Sequence, residues 1–322
     1  MPWRWCTAKR EPTDRFAAMP EKLRILITGS NGLLGQKLVS ALRDDAEVEL
    51  IATSRGPDRT PEPLGSRYHA LDITSREEVN RVFDSTRPMV VVHGAAMTNV
   101  DACETDPDAC QAQNVTATAH LVDAAKRHRS HFIFLSTDFI FDGLNGPYRE
   151  DDAPAPLSIY GRSKLEGERL VMNAGLGKWA IARTIIVYGV APGLSRSNVV
   201  LWAKSALEKG QPIKVVDDQW RMPTLAEDLA DGCIRIAKLG ASGIFNLSGP
   251  DGMSILELVQ RLGAFFSLDA SVVTAVKSDT LGQPAKRPPK TGFILDKARR
   301  ELGYAPRGFE AGLAVLKQQL NS

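Results

Sequence analysis

The segment TGSNGLLG, residues 28–35, places three glycines between an apolar run and an amphipathic pattern, and it constrains the fold more than any other feature. The run before it, LRILIT (23–28), is typical of a buried parallel strand, and LLGQKLVSALR (33–43) has the periodicity of a helix. At such a junction one glycine makes the tight turn, another lets a pyrophosphate approach the backbone, and the third packs the helix on the strand. Gly29, Gly32 and Gly35 therefore predict a dinucleotide site, the alternative being a purely structural turn.

Strand-like and helix-like segments alternate through the first half of the chain. Helical patterns near 75–85, 107–128 and 158–173 separate the apolar runs. Alternation of this kind predicts an α/β fold with helices on both faces of a parallel sheet. We therefore expect a Rossmann-type doubly wound parallel sheet over residues 23–187, built from LRILIT (23–28), VELIAT (48–53), YHALD (68–72), MVVVH (89–93), HFIFLS (131–136) and WAIARTIIVY (179–188).

The pattern loosens over residues 188–322, where glycine and proline are frequent and the elements are shorter. The segments IKVV (213–216) and GIFNLS (243–248), with a helix at 254–266, predict a smaller C-terminal substrate-binding domain laid over the sheet. A helix near 225–238 belongs to this domain or, alternatively, returns to the Rossmann domain.

The charge of the chain is nearly balanced, with 40 Lys and Arg against 38 Asp and Glu. The small basic excess falls within residues 1–22, which lack periodicity and predict a disordered extension, with Met19 as an alternative initiator. We therefore expect no nucleic-acid surface and no membrane-binding patch. No apolar run approaches the roughly 18 residues that span a bilayer, so a soluble cytoplasmic protein is expected.

The four cysteines, Cys6, Cys103, Cys110 and Cys233, show neither CxxC spacing nor a grouping with histidine that would indicate zinc. We interpret them as reduced thiols. Neither a disulfide nor a structural metal is expected.

The end of the second strand discriminates between NAD and NADP. A carboxylate there accepts a hydrogen bond from the ribose 2′-hydroxyl, whereas a cation accommodates a 2′-phosphate. The sequence ATSRGPDR has Ser54 and Arg55 where an acid would bind the ribose, with Asp58 three residues after Arg55. We therefore predict NADPH, the alternative being that Arg55 is a surface residue and that NADH is also accepted.

Two further strand ends supply residues for the cofactor. Asp72 ends the third strand in ALDITS, where it bonds the adenine ring or caps the helix that begins near Ser75. The small residues of HGAAMT, after the fourth strand, would let the cofactor lie against the backbone. The predicted cofactor-binding residues are Gly29, Asn31, Gly32, Leu33, Leu34, Gly35, Ser54, Arg55, Asp72, Ile73, Gly94, Ala95, Ala96, Tyr160 and Lys164.

The segment PLSIYGRSKLEGE (156–168) places Tyr160 and Lys164 four positions apart, on one side of a helix. A free phenol has a pKa near ~10, and an ammonium about 4 Å away would lower that pKa and make the tyrosine a usable acid. In an arbitrary protein such a spacing is usually accidental. Here it follows a predicted dinucleotide-binding turn, which favours a catalytic role for the pair. LSTD, at the end of the fifth strand, adds Ser136 and Thr137 at the sheet edge where open α/β folds bind ligands. Together these residues form a Ser/Thr–Tyr–Lys reductase constellation.

The motifs TGSNGLLG, AAMTNVDACE, LSTDFIFDG, PYREDDAPAPLSIYGRSKLEGE, ARTIIVYG and VVDDQWRMPTLAEDLA occur in an order that one family shares. The sequence resembles the extended short-chain dehydrogenase/reductases, and within them the dTDP-4-dehydrorhamnose reductase family. The resemblance implies that Thr137 is the catalytic threonine, that Tyr160 is the proton donor, and that Lys164 binds the nicotinamide ribose. It also implies hydride transfer from NADPH to the C4 ketone of a nucleotide-linked 4-dehydro-6-deoxysugar, and a homodimer. The substrate-binding residues that it implies are Thr98, Val100, Asp101, Thr137, Ile186 and Arg287.

Two positions depart from the pattern of that family. Ile186 stands where some members carry a tryptophan, and Gln36 where some carry a glutamate associated with magnesium, so magnesium is not predicted. Two alternatives stand beside the reductase. One is another extended reductase or epimerase that acts on a different nucleotide sugar. The other is a non-catalytic NADP-binding regulatory subunit like the β-subunit of methionine adenosyltransferase.

Overall fold

A computed structural model describes residues 21–194 and 198–321 of the chain. The predicted disordered extension, apart from residues 21–22, lies outside the described residues, as does Cys6. Within the two described ranges, no helix combines the length and the apolar character that crossing a membrane needs.

A parallel sheet forms the centre of the described chain. In chain order the strands are β1 Leu23–Thr28, β2 Val48–Ser54, β3 Tyr68–Ala70, β4 Val90–His93, β5 His131–Thr137, β6 Trp179–Thr184, β7 Val187–Tyr188, β8 Ile213–Val216, β9 Trp220–Arg221, β10 Thr224–Leu225, β11 Gly243–Asn246, β12 Met253–Ser254 and β13 Val273–Val276. The central sheet has the order β11-β6-β5-β4-β1-β2-β3, and every neighbouring pair in it is parallel. The order therefore reverses between β1 and β4.

Helices cover both faces of this sheet, which confirms the predicted Rossmann-type doubly wound fold. In chain order the helices are α1 Leu33–Leu42, α2 Arg76–Thr86, α3 Val100–Thr105, α4 Pro107–Gln111, α5 Ala117–His128, α6 Ile159–Asn173, α7 Val199–Glu208, α8 Ala226–Leu239, α9 Ile255–Phe266, α10 Asp296–Leu302 and α11 Phe309–Asn321.

Successive residues of the central strands point to opposite faces, as the two-residue period of a strand requires. In β5, Ile133 and Leu135 pack in the core with α1 and α8, whereas Phe132 and Phe134 pack in the core with α2, α5 and α6. All four side chains are buried. Because both faces of the sheet are covered, the strand reads in the sequence as a continuous apolar run.

Two segments that follow residue 188 in the sequence form part of the central layer. GIFNLS supplies β11, which pairs with β6 so that Gly243 lies opposite Ala180. The helix near 225–238 is α8, and its Leu229 and Cys233 share a core with Leu38 of α1. The apolar face of α8 is therefore covered by the core that it shares with α1 and the central sheet. The division of the chain into domains stays a prediction.

The predicted strand at 179–188 is interrupted. It divides into β6 and β7 because Ile186 adopts a φ of +32°, a left-handed conformation that cannot continue a strand. After the break, β7 leaves the central sheet and pairs with β10. An apolar run carries no signal for such a change of backbone direction.

A second core lies in the C-terminal part of the chain. It joins α7, α9 and α11 with β8, and its Val200, Leu258 and Leu313 are fully buried. The strand pairs β7-β10, β9-β12 and β8-β13 add to this part. Val199, at the start of α7, lines the same cleft as the ends of the central strands, so both parts of the chain shape that cleft.

Candidate active site

A cleft of about 960 Å³ opens at the carboxyl edge of the central sheet. Gly29, which follows β1, and Gly94, which follows β4, both line it. Open α/β sheets bind their ligands at this kind of point, where the strand order reverses. Every residue predicted for the cofactor or the substrate lines this cleft except Asp101.

The glycine turn forms one wall of the cleft. Gly29 has a φ of +77°, in the left-handed region that favours glycine, and a β-carbon on it would lie 2.9 Å from the amide nitrogen of Ala95. A β-carbon on Gly35 would lie 2.1 Å from the carbonyl oxygen of Gly29. A larger residue at either position would therefore move the turn away from the loop after β4 or lift α1 off the turn.

The first turn of α1 is suited to an anion. Gly32 is the N-cap, so no side chain caps the first amide groups, and the first turn carries no acidic residue. Gly32, Leu33 and Leu34 line the cleft. Uncapped amide groups and the positive end of a helix dipole bind phosphates. The residues present thus fit the pyrophosphate of a dinucleotide.

Two guanidinium groups lie at the end of β2. Arg55 and Arg59 are exposed and line the cleft. Asp58 points elsewhere, because its carboxylate accepts from the amide of Thr60 at 2.9 Å and from the amide of Leu64 at 2.8 Å. The carboxylate of Asp58 is therefore hydrogen-bonded within its own turn and is not available to a ribose. Two arginines line this end of the cleft instead. Arg59 is not among the residues predicted from the sequence, although the motif RGPDR contains it.

Asp72 lines the cleft but does not cap a helix. Its Oδ1 accepts from the amide of Thr74 at 2.9 Å and from the Thr74 hydroxyl at 2.7 Å. The N-cap of α2 is Ser75, whose hydroxyl accepts from the amide of Glu78 at 3.2 Å. The capping alternative for Asp72 is therefore wrong, because the turn at Thr74 takes up the carboxylate before the helix begins. Its contact with an adenine ring stays a prediction.

Asn114 fixes the loop after β4. Its Oδ1 accepts from the amide of Met97 at 2.8 Å, and its Nδ2 donates to the Met97 carbonyl at 3.0 Å and to the Ser163 hydroxyl of α6 at 3.0 Å. The residue is buried within a π-helical turn, Ala112–Thr116, that interrupts the predicted helix at 107–128. Such turns are frequent at functional sites. No pattern in the sequence marks Asn114 for this position.

The first turn of α6 brings Tyr160 to the end of β5. The N-cap Ser158 accepts from the amide of Gly161 at 3.1 Å. A β-carbon on Gly161 would lie 2.2 Å from the carbonyl oxygen of Phe139. The helix can therefore pack against the turn after β5 only because residue 161 has no side chain. The rings of Tyr160 and Phe139 meet edge to face with centroids 5.8 Å apart.

Tyr160 is 8% exposed, and burial raises the pKa of its hydroxyl above that of a free phenol. A polar contact with the Thr137 hydroxyl acts in the opposite direction, and the charge of Asp138 raises the pKa further. The pKa of Tyr160 is therefore raised and not lowered as expected, because desolvation of the phenolate outweighs the effects that lower it. A phenol with a raised pKa keeps its proton at neutral pH, as a proton donor must.

Lys164 is also buried, with 4% of its surface exposed. Burial lowers the pKa of its ammonium to about 8, and the charge of Glu168 acts in the opposite direction. The ammonium nitrogen lies 4.1 Å from the centroid of the Phe134 ring. Both Lys164 and Tyr160 line the cleft, so two titratable groups with shifted pKa values face the same cavity.

Thr137 and Ser136 end β5 at the floor of the cleft. The Thr137 hydroxyl donates to Oδ1 of Asp138 at 3.1 Å and accepts from the amide of Phe139 at 3.2 Å. The Ser136 hydroxyl is buried and has no hydrogen-bond partner within the described chain. Asp138 lines the cleft beside Thr137 but is not among the residues predicted from the sequence, although the motif LSTD contains it.

An ion pair joins two of the residues predicted to bind the substrate, Arg287 and Asp101. Arg287 lines the cleft, and its two terminal nitrogens donate to the two carboxylate oxygens of Asp101 at 3.1 and 2.7 Å. Asp101 itself does not line the cleft, unlike the other predicted substrate residues, and reaches it only through its contact with Arg287. Ile186 lines the cleft and is half-buried.

The residues around Gln36 do not fit a magnesium ion. The Gln36 amide donates to the carbonyl oxygens of Asn31 at 3.1 Å and of Pro192 at 2.9 Å. Glu227, which lines the same small cavity, is paired with the Lys37 ammonium at 2.8 Å. Magnesium prefers carboxylates and water, whereas this cavity holds a neutral amide and a neutralised carboxylate. In residues 21–194 and 198–321, no cluster of three or more His, Cys, Asp or Glu side chains could hold a metal.

The sequence model described as the RmlD substrate binding domain matches residues 23–322. The chain is 31% identical over 307 residues to dTDP-4-dehydrorhamnose reductase of Aggregatibacter actinomycetemcomitans, covering 91% of this chain and 98% of that protein. It is 31% identical over 294 residues to probable low-salt glycan biosynthesis reductase Agl14 of Haloferax volcanii, covering 90% and 96%. It is also 32% identical over 270 residues to methionine adenosyltransferase 2 subunit beta of Danio rerio, covering 82% and 80%.

Solved structures share the fold over nearly the whole chain. A dTDP-4-dehydrorhamnose reductase from Clostridium acetobutylicum superimposes with a TM-score of 0.81 at 29% identity, covering 93% of this chain and 100% of that one. The dTDP-4-dehydrorhamnose reductase from Bacillus anthracis, solved in complex with NADP, has a TM-score of 0.80 at 26% identity and covers 92% and 99%.

Proposed function

The chain belongs to the family of the RmlD substrate binding domain, and from that membership we propose that it is an NADPH-dependent reductase of a nucleotide-linked keto-sugar. The substrate is dTDP-4-dehydro-L-rhamnose, which is reduced at its C4 ketone to dTDP-L-rhamnose. The relatives and solved structures named dTDP-4-dehydrorhamnose reductase support this substrate.

One observation carries the proposal. Tyr160 and Lys164, from α6, line the same cleft as Thr137, from β5, and as the uncapped glycine turn before α1. The parts of a reductase site come from three separate segments of the chain. A phenol, an ammonium and a hydroxyl that line one cleft beside an anion-binding helix end are typical of an active site and not of an ordinary protein surface.

The reaction divides between the cofactor and the side chains. Bound NADPH supplies the hydride that the carbonyl carbon of the sugar accepts. Tyr160 donates its phenolic proton to the carbonyl oxygen, so that the ketone gains one hydride and one proton and becomes a hydroxyl. Thr137 orients the phenol through their contact. Lys164 places a positive charge beside the phenolate that Tyr160 becomes.

The preference for NADPH is supported by the end of β2. Arg55 and Arg59 line the cleft there, whereas Asp58 is held by Thr60 and Leu64. A 2′-phosphate would meet two guanidinium groups, and a ribose 2′-hydroxyl would find no carboxylate from this turn. Guanidinium groups bind phosphate through charge-assisted hydrogen bonds. The homodimer and the cytoplasmic location remain predictions from the sequence.

A second candidate is a regulatory subunit that binds NADP without catalysis. The similarity to methionine adenosyltransferase 2 subunit beta, 32% over 270 residues, favours it. The assay below separates the two, because a regulatory subunit binds the cofactor and turns nothing over. In that case, the purified chain would change the activity of a methionine adenosyltransferase catalytic subunit.

The test follows the absorbance of NADPH with the purified chain and dTDP-4-dehydro-L-rhamnose. The wild type should oxidise NADPH and form dTDP-L-rhamnose. Replacing Tyr160→Phe removes only the hydroxyl, so kcat should fall by about 100- to 10,000-fold, the usual worth of a general acid. Binding of NADPH, read by its fluorescence, should persist in the variant and shows that the variant is folded.

Two results would overturn the proposal. If the wild type binds NADPH tightly but reduces neither this sugar nor another nucleotide-linked keto-sugar, the enzyme function fails. Turnover of a different nucleotide sugar, with none of dTDP-4-dehydro-L-rhamnose, would keep the reductase and reject the substrate. Full activity of the Tyr160→Phe variant would reject Tyr160 as the acid.

A further inference from the structure

Asp138 is a buried acid beside the proposed reaction centre, and nothing in the proposed mechanism uses it. It is 2% exposed and lines the floor of the cleft. Its Oδ1 accepts from the Thr137 hydroxyl at 3.1 Å, and its Oδ2 accepts from the Thr291 hydroxyl. The guanidinium of Arg221 completes the site, with its Nε 3.6 Å from Oδ2.

Arg221 is buried to the same degree, with 2% of its side chain exposed. Its terminal nitrogens donate to the carbonyl oxygens of Pro288 and Trp220, each at 2.7 Å. Burial of a carboxylate destabilises the folded state unless the group is paired and hydrogen-bonded. Asp138 has both, a guanidinium and two hydroxyl donors. The carboxylate is therefore held in one orientation from two sides, by β9 and by the loop that contains Thr291.

The hydrogen-bond inventory of Thr137 then determines what its hydroxyl can do. A threonine hydroxyl has one hydrogen, and in this structure that hydrogen is donated to Asp138. The contact between Thr137 and Tyr160 lowers the pKa of the phenol, so the phenol oxygen is the acceptor in that contact. Asp138 and the phenol oxygen therefore compete for the single hydrogen of Thr137, and Asp138 determines where the Thr137 hydroxyl points.

We propose that Asp138 is a positioning residue for the reduction: it orients the hydroxyl of Thr137, the group that contacts the phenol of Tyr160, and it anchors Thr137 to Arg221 and Thr291. The inference rests on the proposed function and deepens it, because it adds a third member to the Thr137 and Tyr160 pair. The charge of Asp138 also raises the pKa of Tyr160, which helps the phenol to keep its proton.

The anchor connects the reaction centre to the substrate side of the cleft. Pro288, which accepts from Arg221, follows Arg287, and Arg287 lines the cleft and is paired with Asp101. The guanidinium that pairs with Asp138 therefore also holds the backbone of the loop that carries Arg287.

A double-mutant cycle tests the proposal. The kcat of the wild type is compared with that of Asp138→Asn, Thr137→Val and the double variant, using NADPH and the keto-sugar. Asn keeps the shape of Asp but loses the charge, so Asp138→Asn should lower kcat by about 10- to 100-fold, which corresponds to the loss of one hydrogen bond to a charged group. The KM of the sugar and the Kd of NADPH should change little.

The cycle separates positioning from a merely structural role. If Asp138 acts through Thr137, the Asp138→Asn change should cost almost nothing further once Thr137 is valine. Equal losses in both backgrounds, or a wild-type kcat for Asp138→Asn, would overturn the proposal. Asp142→Asn is the matched control, because Asp142 accepts from Tyr148 at 2.9 Å outside the cleft and should leave kcat unchanged.

Two further measurements keep the outcome decisive. If Asp138→Asn does not fold because Arg221 loses its partner, Thr291→Val removes one anchor alone and should lower kcat only in the presence of Thr137. If the wild type reduces no keto-sugar, the proposed function fails by itself. The same cycle is then measured in the free energy of unfolding, where non-additive costs support the orientation of Thr137 by Asp138 and additive costs reject it.

Discussion

The α-carbon of Gly161 lies so close to the carbonyl oxygen of Phe139 that a β-carbon on residue 161 would stand 2.2 Å from that oxygen. This approach seats the first turn of α6 on the turn after β5. It brings Tyr160, the residue before Gly161, beside Thr137 at the end of that strand. The spacing between the proposed acid and its hydroxyl partner thus depends on a residue with no side chain.

Gly161→Ala should therefore lower both activity and stability. Alanine is the better helix former by about 1 kcal/mol, so propensity alone would stabilise α6. Overpacking against a backbone oxygen works in the opposite direction and costs about 1–3 kcal/mol. Urea unfolding and kcat measure the two effects. Arg162→Ala, at the next and exposed position of α6, is the control and should stay within about 0.5 kcal/mol of the wild type. A Gly161→Ala variant more stable than the wild type would contradict the close approach.

Arg55→Ala should weaken the binding of NADPH much more than that of NADH. The change removes one of the two guanidinium groups that line the cleft at the end of β2. Loss of a charge-assisted contact with a phosphate should raise the Kd of NADPH by about 10-fold or more. Fluorescence titration of both nucleotides measures the difference. Arg67→Ala is the control, because Arg67 donates to the carbonyl oxygen of Arg43 away from the cleft. Equal losses for the two nucleotides would reject the 2′-phosphate role.

The Ile186→Gly variant should be more stable than the Ile186→Ala variant, although a glycine substitution usually destabilises a protein more than an alanine substitution at the same position. The φ of +32° at Ile186 is an outlier for a β-branched residue and is strained for any residue with a β-carbon. Both variants lose the same packing of the side chain, but only glycine relieves the backbone. The difference should be about 1 kcal/mol in the free energy of unfolding, measured in urea. Alanine as the more stable variant would show that residue 186 carries no backbone strain.

The stability of the protein should fall as the pH falls from about 6.5 to about 4. Burial lowers the pKa of His131 to about 4, and the charge of Lys178 adds to that effect. Burial also lowers the pKa of His93 to about 3. The unfolded chain binds protons at both residues below about pH 6.5 while the folded chain does not, so acid favours unfolding.

For His131 alone, the full loss is about 3 kcal/mol. His131→Leu removes that titration, so the slope of the unfolding free energy against pH should decrease by about one proton between pH 6 and 4. In this variant the contribution of His93 to the pH dependence of the unfolding free energy should remain. An unchanged slope in the variant would mean that His131 titrates normally in the folded protein.

Much of the fold and of the site can be predicted from short, continuous segments of the sequence. The central strands are apolar runs because both faces of the sheet are covered, and the glycine turn is recognisable because one segment supplies the strand, the turn and the helix. Tyr160 and Lys164 share a helix, so the helical period alone puts them on one side. The sequence therefore sufficed to predict the doubly wound sheet and about half of the residues that line the cleft.

Other features depend on residues that lie far apart in the chain. β11 joins the sheet across an insertion of more than fifty residues, and its short run resembles an edge element of the C-terminal part. Asn114 fixes Met97 from within a helix, and no periodicity distinguishes it from its neighbours. The positive φ of Ile186 arises because the chain turns out of the central sheet so that β7 can pair with β10. Isoleucine itself disfavours this conformation.

What the sequence by itself determined is the set of groups available to the site: a glycine turn, a phenol, an ammonium, a hydroxyl and the arginines at the end of β2. What only the tertiary structure decided is how these groups are tuned. Burial raises the pKa of Tyr160 and lowers that of Lys164, and Arg221 reaches Asp138 across 83 positions of the chain. Desolvation and long-range ion pairs arise only when distant segments pack together, so no local pattern can encode them.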